Sequence, residues 1–255
     1  REHFPINVIA IETIGECNRD CAYCPVSLVD KRRGRMSKET FESIVLQLKK
    51  LDYQGEIYLH FYNEPLLDKR VIGFLRFIRE HLKDNMLKLF TNGDPLTLQK
   101  ARDIIDAGVT ALAISMHDAE TEEKADNIIA GLPLAMREKI ETNRYYDIEN
   151  HVYTNRAGSI VSDDFEVRRD ASVEGCDKTE FIIDYKGSVH PCSEDIGQGY
   201  VLGNVNENTL LEIWQNGRSR FRDHFTGNFC AICRQCVGLD RAPDIRGRDS
   251  ATIGV

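Results

Sequence analysis

Eight cysteines stand in two groups, and their spacing is that of metal or iron–sulfur ligands. The first group, Cys17-x3-Cys21-x2-Cys24, puts three thiolates in an eight-residue stretch. That is enough to hold three irons of a cubane and leaves the fourth iron without a protein ligand, open for chemistry. Zinc competes for the same thiolates, yet a structural zinc takes four ligands and this stretch contains no His. The second group is Cys176, Cys192, Cys230, Cys233 and Cys236. Four of these five can close a complete cubane, and four cysteines suit zinc equally. Disulfides are the remaining alternative; tight ligand spacing in a reducing compartment argues for ligation.

Residues with this work to do must be held by a frame, and the first half of the chain supplies one. Short β-rich runs at Val8–Thr13, Glu56–Phe61, Met86–Thr91 and Ala111–His117 alternate with helical periodicity over Ser37–Leu51, Arg70–Leu82 and Leu96–Ala107. Ser37 is the expected N-cap of the first helix. Strand, helix, parallel strand, repeated, predicts a parallel α/β array whose site lies at the C-terminal strand ends. The polar motifs fall there: Cys17 follows the first strand, Asn63-Glu64-Pro65 the second, Thr91-Asn92-Gly93 the third and Ser115-Met116-His117 the fourth.

From residue 119 to 150 the pattern is helical and acidic, and no fifth or sixth strand is placed; residues 150–154 are one candidate. Beyond Gly158 the texture changes. A hairpin is expected from Phe181–Tyr185 through Lys186-Gly187 to Ser188–Pro191, then two short helices over Thr209–Asn216 and Arg218–Phe225. The expected division is a larger α/β domain over residues 1–158 and a small α+β domain over 159–255.

The chain has 255 residues and a net charge of −8, and its one compact basic run is Lys31, Arg32, Arg33 and Arg35. Nucleic acid is therefore not the expected partner. No apolar run reaches the roughly 18–20 residues of a membrane span, so no membrane role is expected. No signal peptide is visible in the first 16 residues, and the cytoplasm is the expected compartment.

Cys17-Asn-Arg-Asp-Cys21-Ala-Tyr23-Cys24 resembles the CxxxCxxC signature of the radical S-adenosylmethionine (SAM) superfamily, with the aromatic Tyr23 before its last cysteine. The resemblance implies a partial (β/α)6 TIM-like barrel in which the SAM amino and carboxylate groups chelate the open iron. Tyr62-Asn63-Glu64-Pro65 occupies the position of the family's GGEP segment, with Asn63 in place of a Gly. Glu64 would bind the SAM ammonium through a charge-assisted hydrogen bond. Asn92 and Ser115 would bind the SAM ribose and carboxylate.

The later cysteines resemble the family's SPASM and shortened "twitch" extensions. That likeness implies a second [4Fe–4S] cluster on Cys176, Cys192, Cys233 and Cys236, with Cys230 as an alternative ligand or a hydrogen-atom donor. His60 to Leu67, Thr91 to Asp94, Asn155-Arg156-Ala157-Gly158, Gly203-Asn204 and Ile213-Trp214 resemble a branch that dehydrogenates an aminocyclitol in antibiotic biosynthesis. The implied reaction starts with hydrogen abstraction by a 5′-deoxyadenosyl radical. It ends with oxidation of a secondary alcohol of a sugar or aminocyclitol to a ketone, the second cluster taking the electron. Arg156 would lie by the substrate, and His117 is a candidate proton acceptor on the same rim.

A radical epimerase of a sugar or peptide, using Cys230 as hydrogen donor, is the competing enzyme. A peptide-modifying maturase ranks lower, because no room for a leader-binding region is seen before residue 7. A non-enzymatic electron carrier is the third alternative. The basic run is a candidate docking loop for a flavodoxin- or ferredoxin-type reductant.

Overall fold

A computed structural model of the chain describes residues 4–29, 32–147, 151–164, 166–168, 176, 178–195, 200–225, 227–228, 230–237 and 239. In chain order the elements begin with β1 (Val8–Ile11), α1 (Lys38–Lys50), β2 (Glu56–Leu59), α2 (Val71–His81), β3 (Leu87–Thr91) and α3 (Leu98–Asp106). β4 (Ala111–Met116), α4 (Ala119–Ala130), α5 (Leu134–Arg137) and β5 (Ile140–Arg144) follow. Then come β6 (Tyr153–Thr154), β7 (Val167–Arg168), β8 (Glu180–Ile183), β9 (Ser188–His190), β10 (Gly203–Asn204), α6 (Leu210–Phe225) and α7 (Ala231–Cys236).

Eight strands form one sheet in the order β10-β9-β8-β1-β2-β3-β4-β5. From β8 to β5 every neighbouring pair is parallel, with Ile9 opposite both Phe181 and Ile57, and Leu89 opposite Leu112. This is a mixed α/β architecture built on a parallel sheet, as expected for a partial barrel, followed by an antiparallel extension. The period-2 pattern aims Ile9, Ile11, Ile57, Leu59, Leu87, Leu89, Leu112 and Ile114 at the helices, where all are buried. Phe41, Ile44, Val45 and Leu48 of α1, at helical spacing, pack into the same core.

Ser37 caps α1 as expected, its Oγ accepting from the Thr40 amide at 2.9 Å. Thr97 and Asp118 cap α3 and α4 the same way. The expected hairpin is β8–β9, turned by Asp184, whose Oδ1 accepts from the Lys186 and Ser188 amides at 2.9 Å each.

Four local expectations change. The fifth parallel strand is β5, missed because only Ile140 of its five residues is apolar; it is an edge strand with four exposed residues. The sixth is β8, which pairs with β1 and so carries one sheet across the boundary expected at residue 158. Of the 150–154 candidate, Asn150 lies outside the described residues, and Tyr153–Thr154 pair with β7 in a separate two-stranded sheet. The two helices expected from 209 to 225 are one, α6. Gly217 lies inside it, and its bare Cα lets Leu202 approach to where a Cβ would stand 2.9 Å from Leu202 Cδ2.

The basic run is also not a simple surface feature. Arg32 is buried and forms a two-pronged ion pair with buried Glu12, at 2.7 and 2.6 Å. Arg33 and Arg35 are exposed, and Lys31 lies outside the described residues.

Candidate functional site: two cysteine-lined cavities

The strand ends of β1 to β4 surround a cleft of about 1070 Å³. Cys17, Cys21 and Cys24 line it from the loop after β1, all as partly exposed free thiols. Backbone bonds from Cys24 N to Cys21 O (2.9 Å) and Ser27 N to Cys24 O (3.1 Å) wind that loop tightly enough to turn all three thiols inward. Burial pushes all three thiols above the usual thiol range, Cys24 to about 11.

Arg19, between the first two cysteines, ties this loop to the next strands. Its guanidinium donates to Asp94 at 2.7 and 2.5 Å, to Asp118 at 2.8 Å and to Thr121 at 2.8 Å. Asn18 adds a bond to Asp94 (2.6 Å), and Asn92 Nδ2 donates to Asn18 Oδ1 (2.8 Å). The cysteine loop is thus held by the ends of β3 and β4.

Glu64, in the loop after β2, is 1% exposed. Its carboxylate accepts from Leu66 N (3.0 Å), Thr91 Oγ1 (2.8 Å) and Asn92 N (2.7 Å). Burial nevertheless raises its pKa to about 7. Beside it, Asn63 Oδ1 accepts from Phe61 N at 3.0 Å, whereas Asn63 Nδ2 is buried with no partner among the described residues. An orphan amide donor on the cleft wall fits a bound carboxylate.

Aromatic rings close one side. Tyr23 stacks on Tyr153 at 4.5 Å and on His117 and Tyr145 at 5.8 Å each. His117 Nδ1 is engaged by the Tyr23 hydroxyl and lies 3.8 Å from Cys21 Sγ. Burial, then the charge of Arg19, holds His117 down at about 4, so its ring is neutral at pH 7. His60, its ring tilted against Phe90 at 4.5 Å, is likewise held at about 4 by burial and the charge of Arg156.

Arg156 enters the cleft from a turn in which Arg156, Ala157 and Gly158 all have positive φ (45°, 50° and 78°). The turn is closed by Ser159 N and Ile160 N bonding back to Arg156 O and Asn155 O at 3.1 Å. The guanidinium lies 6.0 Å over the Tyr62 ring and donates to Glu194 Oε1 at 3.0 Å.

A second cavity, of about 420 Å³, lies behind that contact. Cys176, Cys192, Cys233 and Cys236 line it; Cys230 does not. The hydrogen bond between Cys230 and Cys233 favours the Cys230 thiolate and pulls that group below the usual thiol range. The two cavities share a wall at 192–194, where Ser193 faces the first while Cys192 and Glu194 face the second. Asn155 Nδ2 also donates to Cys236 O (2.8 Å), tying the Arg156 turn to the second set of thiols.

A profile of the radical SAM superfamily matches residues 11–155, which hold every residue lining the first cleft except Arg156 and Ser193. This chain belongs to the radical SAM superfamily. A second profile, SPASM, an iron–sulfur cluster-binding domain, matches residues 176–237. Over 215 residues the chain is 31% identical to the S-adenosyl-L-methionine-dependent 2-deoxy-scyllo-inosamine dehydrogenase of Niallia circulans, covering 83% of each chain. Its fold aligns with that of BtrN in complex with AdoMet and 2-DOIA at a TM-score of 0.79, with 27% identity over 91% of this chain and 93% of the other. BtrN in an open conformation aligns at 0.66, with 25% identity over 89% and 88%.

In this radical SAM enzyme, the candidates Cys17, Cys21, Tyr23, Cys24, Asn63, Glu64, Asn92, Ser115, His117 and Arg156 all line the first cleft. The donor set fits a cluster with an open iron, since three thiols on one loop face a space large enough for a second ligand. Sequence reasoning passed over Arg19, Glu194 and Arg220. Arg19 and Glu194 each stand two residues from a candidate ligand, Cys17 or Cys192, which was a usable signal; Arg220 on α6 had none.

Proposed function

We propose that this radical SAM enzyme oxidises a secondary alcohol of a sugar or aminocyclitol to a ketone. Residues 1–158 would carry the SAM-binding [4Fe–4S] centre, and residues 159–255 a second, fully ligated one that accepts an electron. The observation that carries this reading is the shared wall. Arg156 in the open cleft is hydrogen-bonded to Glu194 of the four-cysteine cavity, so a substrate at Arg156 would sit next to the second centre.

When bound, SAM and the clusters supply what side chains cannot: a 5′-deoxyadenosyl radical to remove a hydrogen atom from carbon, and a one-electron acceptor. The chain's own groups bind and orient. Cys17, Cys21 and Cys24 would hold the first cluster while Arg19 and Asn92 keep their loop in place. Asn63 Nδ2 would donate to the SAM carboxylate, and Glu64 would meet its ammonium while ordering the Asn92 amide; Ser115 offers a further hydroxyl.

Arg156 donates hydrogen bonds to the substrate hydroxyl and, as a guanidinium, is a poor base. Neutral His117 we assign to holding Tyr23, whose ring walls the cleft. Cys176, Cys192, Cys233 and Cys236 would hold the second cluster. Cys230 lines neither cavity, which counts against it as the hydrogen donor of an epimerase.

Anaerobic turnover with SAM, a strong reductant and a panel of aminocyclitols and sugars tests the proposal. A product two hydrogens lighter than substrate is expected, formed one for one with 5′-deoxyadenosine. A product of unchanged mass in H2O that gains one deuterium in D2O would overturn it in favour of epimerisation. We assign the reductant to the flavodoxin or ferredoxin class, with Arg33 and Arg35 as the exposed cations near the first cluster loop.

A further inference from the structure

Arg220 is a buried cation with no carboxylate partner among the described residues, and the sulfurs of Cys230 and Cys233 are what favours its charge. It projects from α6 into the wall of the second cavity and is 6% exposed. Its Nη2 donates to Cys233 Sγ at 3.1 Å, and its Cζ lies 4.7 Å from the Tyr200 ring centroid. Its Nε–H is buried with no partner among the described residues. Among the described residues it forms no ion pair, in contrast to Lys178 on the same wall, which stands 3.7 Å from Glu180 and 3.6 Å from Glu194. The nearby Asp195 accepts from the Tyr200 amide at 2.9 Å.

An isolated buried guanidinium is costly unless an anion faces it. The groups that face it here are thiols, which become thiolates when they ligate metal. We propose that Arg220 sets the reduction potential of the second iron–sulfur centre by donating one hydrogen bond to the Cys233 thiolate and a second, from Nε, toward the cluster. This rests on the reading of the second cavity as a four-iron site. Each reduction adds one negative charge to the cluster with no proton. A fixed positive charge and hydrogen bonds to sulfur therefore favour the reduced form and raise the potential. Arg220 touches no substrate; it is a positioning and tuning residue that would make the second centre a better electron acceptor.

The test is an EPR-monitored redox titration of anaerobically reconstituted full-length wild type, Arg220→Met and Arg220→Gln, after iron and zinc have been counted. In Arg220→Met the reduced-to-oxidised ratio of the second cluster at a given potential is expected to fall at least tenfold, a shift of 59 mV to more negative values for one electron. Arg220→Gln, which keeps a neutral donor, is expected to fall between, and the first cluster to stay unchanged in both. Should Arg220→Met not load its second cluster, Arg220→Gln carries the same measurement. An unchanged second potential in a variant with full iron, or an equal shift at both clusters, would overturn the proposal. Zinc in the wild-type second site would overturn the functional reading instead, and the metal count makes the two failures distinguishable.

Discussion

The two cysteine cavities differ in how the chain builds them. The first draws three thiols from eight consecutive residues and leaves them partly exposed in a cleft of about 1070 Å³. The second draws four from three separated segments around about 420 Å³, with Cys233 and Cys236 buried. A short loop fixes ligand geometry by itself but can close only part of a cluster's surface; distant segments can enclose it, provided the fold brings them together. Openness suits the centre that must bind a small molecule, and enclosure suits one that exchanges only electrons.

This contrast can be broken by substitution. The largest effect is expected at the first loop: Cys21→Ser should lower 5′-deoxyadenosine formation by at least about 10³-fold, some 4 kcal/mol, measured by chromatography of anaerobic reactions. Next, Arg156→Met should lower product formation about 10- to 100-fold through loss of a charged hydrogen bond, while substrate-free SAM cleavage stays at wild-type rate. Equal losses in both assays would remove Arg156 from the substrate.

Glu64 gives a pH-dependent effect of intermediate size. Its folded pKa is raised, so the folded state binds more protons than the unfolded one between the usual carboxylate value and about 7. The associated stability is fully present below pH 4.5 and is lost as pH rises through about 7, by about 3 kcal/mol. Urea unfolding of the reduced, metal-free protein at pH 5 and pH 8 should show that fall, and Glu64→Gln should flatten it. The smallest effect is expected for Cys230→Ser, which should leave the iron content unchanged; loss of half the iron would make Cys230 a ligand in place of Cys236.

The sequence disclosed the first region far more fully than the second. Cys17 to Cys24, and the strand-end motifs through His117, were readable because each lies beside a period-2 apolar run that fixes its position on the rim. The β8–β9 hairpin was readable from Lys186-Gly187. What stayed hidden depends on tertiary contact: β5 is an edge strand with little apolar patterning, and β8 joins β1 across the chain. Gly217 sits inside α6 with Leu202 packed against it, and Arg32, one of a basic run in the sequence, is buried against Glu12. Arg220 needed both α6 and α7 in place before its bond to Cys233 could exist.

The division of labour between the cavities is tested most directly by Cys192→Ser, assayed anaerobically with substrate for 5′-deoxyadenosine and ketone in the same samples. The account predicts that this variant retains the first cluster and still forms 5′-deoxyadenosine, while the ketone disappears. Ketone formed at the wild-type ratio to 5′-deoxyadenosine, in protein whose second cluster is absent, would contradict it.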